Sequence, residues 1–196
     1  MARPRKSEHN REQLLELGAS LFMEKGYSGA GIKEILGTVG VPRGSFYNYF
    51  ESKEQYAAEV IRHYTDRMAT QIETYVSTAN EPPMKIIENI PSMIMAVAEE
   101  SGCQGCLMGS LAGEIAANSE LCRQAMLEGM SRWRTGFEEL FAEAQSSGEM
   151  RADLSAAALV ELFWNQWQGA LLKMQIEDNT EALESSFADF LLLIRV

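Results

Sequence analysis

The chain has 196 residues, 46% of them apolar, with 17 Lys and Arg against 28 Asp and Glu and a formal charge of −11. That is enough chain, and enough apolar side chain, for a sizeable core. No apolar run approaches the roughly eighteen residues of a membrane helix, and the basic start Met1-Ala2-Arg3-Pro4-Arg5-Lys6 lacks the apolar stretch of a signal peptide, so a cytoplasmic protein is expected.

Apolar residues recur at helical spacing, and no long stretch keeps the period of two that a strand needs. Leu14, Leu17, Leu21 and Phe22 stripe a first helix over residues 8–25, which Gly26 and Tyr27 end. Ile32, Ile35 and Leu36 mark a short second helix, interrupted by Gly40; Pro42 suits the first turn of a short third one. Ser52 caps a fourth helix that starts near Lys53 and reaches residue 79, where Asn80-Glu81-Pro82-Pro83 stops it. A fifth spans 83–100, with a kink expected at Pro91. A Gly- and Cys-containing break separates it from a sixth over 105–117, and Ser119 caps a long seventh reaching 146. Residues 155–176 carry Val160, Phe163, Trp164, Trp167, Leu171 and Met174 on one apolar face, and Thr180 opens a last helix striped by Phe187, Phe190, Leu191 and Ile194. The expected fold is all-α, with about nine helices.

Charge divides the chain. Residues 1–53 hold eight basic and six acidic side chains, a net of +2, while residues 54–196 hold a net of −13. A basic end suited to a polyanion and an acidic body kept away from it follow. The end contains a helix, a short helix, a glycine turn and another short helix, the order of a helix-turn-helix whose second short helix enters the DNA major groove. Val41, Phe46 and Phe50 are spaced to pack on Leu21, Phe22 and Ile35, which leaves Arg43, Gly44, Ser45, Tyr47, Asn48 and Tyr49 toward the other face. Arg43 has the fork that reads guanine edges, Gly44 permits close backbone approach, and the hydroxyls can donate to phosphates. Lys33, from the second helix, joins this DNA-facing set, and Lys53 stands at a helix start whose dipole already favours an anion.

The stretch LFMEKGYSGAGIKEILGTVGVPRGSFYNYFESKE, residues 21–54, resembles the TetR family of bacterial transcription regulators. The shared parts are the Leu-Phe-x-x-x-Gly-Tyr end of the first helix, the Gly-Val-x-x-Gly turn, the Phe-Tyr-x-Tyr-Phe core of the third, and the Lys-Glu that opens the fourth. One departure is Gly29-Ala30-Gly31 where the family usually has Thr or Ser before the second helix; a backbone N–H takes the place of that hydroxyl. The resemblance implies a DNA-binding domain over residues 1–53, extending into helix four to about residue 66, and an effector-sensing and dimerisation domain over 54–196. It implies homodimers on a palindromic operator, with residues 155–176 and 180–195 forming the interface. The same two aromatic faces also have the protein's own core to fill.

A second resemblance concerns effector sensing. Cys106 falls at the start of the sixth helix, where the dipole favours a thiolate, and Lys173 is a lone cation in an apolar helix. GCLMGSLAGEIA and WNQWQGALLKMQI are similar to the NemR/AcuR-like subgroup of the family, which responds to electrophiles or acrylate. In the NemR-like pattern the matching Cys and Lys sense together, which implies Cys106 and Lys173 here. Cys103, three residues before Cys106, is a candidate resolving thiol by its spacing. Free cysteine is also an ordinary small apolar core residue, and Cys122 is expected to be one. The competing reading is a noncovalent small-molecule effector held in an apolar pocket by Met108, Trp133, Phe137, Trp164 and Trp167, with inert cysteines. A thiol redox enzyme using Cys103 and Cys106 needs a βαβ setting that this helical pattern does not offer. Zinc needs ligand spacing that His9 and His63 lack, so no metal, no cofactor and no enzymatic activity are expected.

Overall fold

The computed structural model describes the backbone of residues 6–39, 43–100 and 105–196, and the side chains of residues 10–37, 46–93, 95 and 105–196. Among the described residues there are nine helices: α1 (Lys6–Gly29), α2 (Ile32–Val39), α3 (Arg43–Tyr49), α4 (Lys53–Thr78), α5 (Pro83–Glu100), α6 (Leu107–Ile115), α7 (Glu120–Ser146), α8 (Ala156–Glu177) and α9 (Glu181–Ile194). The all-α expectation holds, and most boundaries fall within two residues of those read from sequence.

The boundaries have local causes. The Ser52 hydroxyl accepts from the Gln55 amide at 3.0 Å and opens α4, while the Gln55 side chain accepts from the Glu51 amide at 2.6 Å. Ser119 and Ser155 cap α7 and α8 in the same way, accepting from Cys122 and Ala158. Thr180 makes no side-chain cap; Asn179 accepts from the Glu181 amide at 3.0 Å and supplies the bond. At Gly26 the first run of α1 ends as expected, at a glycine with φ 69°, and a further short helical stretch follows it to Gly29. Helix α5 continues through Pro91.

The chain divides into two compact units. The first comprises residues 1–68 and 107–130, the second residues 69–106 and 131–196. In the first, Leu14, Phe22, Ile35, Phe46, Phe50, Tyr56, Ile61, Leu107 and Leu111 are buried. Tyr56 lies among Phe22, Phe46 and Phe50 at ring separations of 5.8, 5.4 and 4.8 Å, and its hydroxyl donates to the Leu14 carbonyl at 2.6 Å. A Cβ at Gly18 would stand 2.2 Å from that hydroxyl, so glycine is what lets α1 lie this close to α4.

In the second unit Phe163 is central, with Phe137, Phe187 and Phe190 at 5.3, 5.8 and 5.2 Å. Ile72, Ile87, Ile90, Phe141, Leu159, Met174 and Leu183 complete that core. The end of α9 is tied down where Arg151 donates its amide to the Ile194 carbonyl at 2.8 Å. Among the described residues no helix is long and apolar enough to cross a membrane.

Candidate functional site

Two regions carry the site, and each belongs to one unit. In the first unit, α3 is held by its apolar residues: Phe46 and Phe50 are buried on Tyr56. The residues between them face outward. Tyr47 is 60% exposed, Asn48 is exposed and Tyr49 is half-buried. Lys33 is exposed on α2. Arg43, Gly44 and Ser45 form the first turn of α3, but their side chains lie outside the described residues, as does Val41 altogether. Gly31 opens α2 with its carbonyl accepting from Glu34 and Ile35, which are backbone bonds that need no hydroxyl side chain.

Lys53 is committed within the protein. Its ammonium donates to the Tyr27 carbonyl and sits 4.5 Å from the centre of the Tyr27 ring. Burial lowers its pKa below the ordinary lysine range, with Glu114 pulling the other way. Tyr27 is held a second time from α6: the Glu114 carboxylate accepts from the amides of Tyr27 at 3.2 Å and Ser28 at 3.1 Å. Lys25 pairs with Glu34, so an ion pair also spans the α1–α2 corner.

In the second unit, Cys106 is half-buried against the aromatic and aliphatic core, one residue before α6 begins. Gly105 has φ 82°, and a Cβ there would meet the Gln175 amide at 2.5 Å. Gln175 is therefore the α8 side chain that lies against this segment. Lys173 is two residues away, about 200° around the helix, and it is exposed. Cys103 lies outside the described residues.

Four of the five residues expected to line an apolar pocket belong to the second unit. Trp133 and Phe137 line a cleft of about 20 Å³ with Ala69, Ile72, Glu73, Arg132 and Gly136, space for about one water. Trp164 meets Trp133 edge-on at 4.7 Å, and Trp167 packs on Phe187 at 5.1 Å. Met108 is buried in the other unit. Gln168, on α8, has a buried side-chain nitrogen without a hydrogen-bond partner. Among the described residues no group of three or more His, Cys, Asp or Glu is placed to hold a metal ion. Cys122 is buried, its thiol directed at the Glu54 carbonyl, and burial pushes its pKa up.

Residues 14–60 match the family model for bacterial regulatory proteins of the tetR family, and residues 82–190 match that for the tetracyclin repressor-like C-terminal domain. The second match alone spans more than half of the chain. The chain belongs to the TetR family.

Several bacterial transcription regulators are similar along most of their length. The transcriptional repressor DhaR of Mycobacterium sp. strain GP1 is 34% identical over 89% of this chain and 86% of its own. The regulator AcuR of Cereibacter sphaeroides is 33% identical over 89% and 80%. The repressor NemR of Escherichia coli K12 is 30% identical over 93% and 92%. The crystal structure of reduced E. coli NemR superposes with a TM-score of 0.87, covering 95% of this chain and 97% of that one at 24% identity, which bears on the fold alone.

As a TetR-family member the chain is a DNA-binding transcriptional regulator and not an enzyme. Sequence reasoning missed Tyr56, Glu114, Gln168 and Gln175. Tyr56 and Gln175 lie on helices whose limits were expected from the sequence, but those limits do not say which neighbour each side chain meets. Only Glu114 left a trace, as the single charge in the otherwise uncharged α6 sequence LMGSLAGEI.

Proposed function

We propose that this protein is a dimeric repressor that reads a palindromic operator with α3 and releases it when a small effector binds. The observation that carries this reading is the division of α3 between two buried rings and an exposed edge. Phe46 and Phe50 anchor it, and Tyr47 and Asn48 stand clear. Residues 1–53, with the start of α4, form the DNA-binding domain, and residues 54–196 sense effector and dimerise. Arg43 reads a base edge; Lys33, Gly44, Ser45, Tyr47, Asn48 and Tyr49 complete the contact, and Lys53 supports it from the start of α4. The repressor sense follows the names of DhaR and NemR, and a cytoplasmic location fits an operator-binding protein.

Dimerisation uses the outer faces of α8 and α9. Leu162, Leu172, Ile176 and Leu192 are all at least half exposed in the single chain. Leu162, Gly169 and Ile176 recur at seven-residue spacing, so they share one side of α8. An apolar stripe of this kind suits helix packing against a second copy.

Cys106 acts as the effector switch, an electrophile adding to its half-buried thiol beside the Gly105–Gln175 contact; Lys173 takes part as in the resemblance, and Cys103, three residues before Cys106, serves as the resolving thiol. A noncovalent effector is the second reading, and Gln168 favours it. A buried amide donor left unpaired is costly, and an apolar effector with an acceptor oxygen would satisfy it.

The test is an anisotropy titration of a fluorescent duplex enriched from a random library by the native protein. Y47A combined with N48A is expected to weaken binding at least tenfold, since each lost contact is worth about 1 kcal/mol. Unchanged affinity would remove α3 from the interface. N-ethylmaleimide at low dose is expected to release the duplex and label Cys106 by mass spectrometry. If Cys106 stays unlabelled in the folded protein, the covalent switch is wrong and the noncovalent reading stands.

A further inference from the structure

Glu114 is the single charge of α6, and it ends on the helix-turn-helix. Gly26, with φ 69° and ψ 176°, turns the backbone out of the α1 ladder. The two amides that follow, of Tyr27 and Ser28, donate to separate oxygens of the Glu114 carboxylate at 3.2 and 3.1 Å. Using both oxygens fixes the orientation of the pair as well as its distance. Lys53 holds the same residue from α4, through the Tyr27 carbonyl and ring. Three helices of the first unit therefore converge on one dipeptide at the corner where α2 leaves α1.

From this geometry we infer that Glu114 is a positioning residue for DNA binding: by gripping Tyr27 and Ser28 it sets how α2 and α3 are presented, without touching the duplex itself. The inference rests on the DNA-binding reading above, and it makes a prediction opposite in sign to simple electrostatics. Glu114 adds negative charge to a protein whose formal charge is already −11. If it were only a surface carboxylate, removing it would favour binding to a polyanion. If it positions α3, removing it weakens binding.

The experiment uses the full chain and the duplex that the native protein enriches from a random library, with anisotropy read at several salt concentrations. E114A is expected to bind about tenfold more weakly, the scale of a lost charge-assisted bond. E114Q keeps one acceptor oxygen and is expected to lose about threefold. The slope of log affinity against log salt should stay that of the native protein, because no phosphate contact is removed. Circular dichroism melts establish that each variant is folded. If E114A proves unfolded, E114Q provides the same test of sign. Binding by the folded variant as tight as native, or tighter, overturns the inference. So does a salt slope changed by about one, which would make Glu114's neighbourhood part of the contact. A native protein that enriches no duplex at all would instead overturn the reading beneath it.

Discussion

Tyr56 shows how a single residue joins three helices. Its ring is enclosed by Phe22, Phe46 and Phe50, and its hydroxyl reaches the Leu14 carbonyl. Y56F keeps the ring but leaves that buried carbonyl without its partner, which should cost about 1–2 kcal/mol in urea unfolding. The pH dependence gives a second measure. Burial raises the Tyr56 pKa well above that of an exposed tyrosine. A group whose folded value is raised contributes stability that is complete below its unfolded value and is lost as pH rises beyond it. The advantage of native protein over Y56F should therefore hold steady to about pH 9 and shrink above about pH 10. A difference that stays flat to pH 11 would mean that Tyr56 ionises as readily folded as unfolded. The sequence marked Phe46 and Phe50 as inward because apolar rings at helical spacing have one favourable side. It left Tyr56 unmarked, because an amphipathic ring is equally at home in a core or at a surface.

At the level of the helices, starts and stops were legible because they have local causes. Ser52, Ser119 and Ser155 each satisfy an amide in their own first turn, a bond that depends on nothing distant. S155A should lower stability by about 1 kcal/mol, as a shift in the urea midpoint with an unchanged slope. A change in slope would point instead to a disturbed unfolded or native ensemble. Where the helix ends depended on partners, sequence said less. The break at Gly26 was expected as an end of α1, yet the carboxylate that receives the following amides arrives from Glu114, more than eighty residues later. The pairing of Cys106 with Lys173 depended on which side of α8 faces the cysteine segment, and there Gln175 lies against Gly105.

For the whole molecule the question is which apolar faces are used up inside one chain. Of the residues expected to stripe α8 and α9, Val160, Phe163, Leu171, Met174, Phe187, Phe190 and Ile194 are buried in the chain's own core. The exposed apolar residues are others: Leu172 at 58%, Ile176 at 75% and Leu192 at 75%. If they form the dimer interface, I176E should leave the fold intact and yield a monomer by light scattering, with operator affinity reduced at least tenfold because one head no longer helps to hold the other. An I176E protein that remains dimeric would place the interface elsewhere.

By itself the sequence determined the helical class, the order and rough limits of the helices, and the family, since capping, turn chemistry and apolar period act within a few residues and are written directly in the chain. Only the tertiary structure decided which apolar residues of α8 and α9 stay exposed, that Glu114 and Lys53 meet at Tyr27, and that Gln175 reaches Gly105. Those pairings join residues far apart in the chain, and close packing selects them from many arrangements that the same periodicity allows.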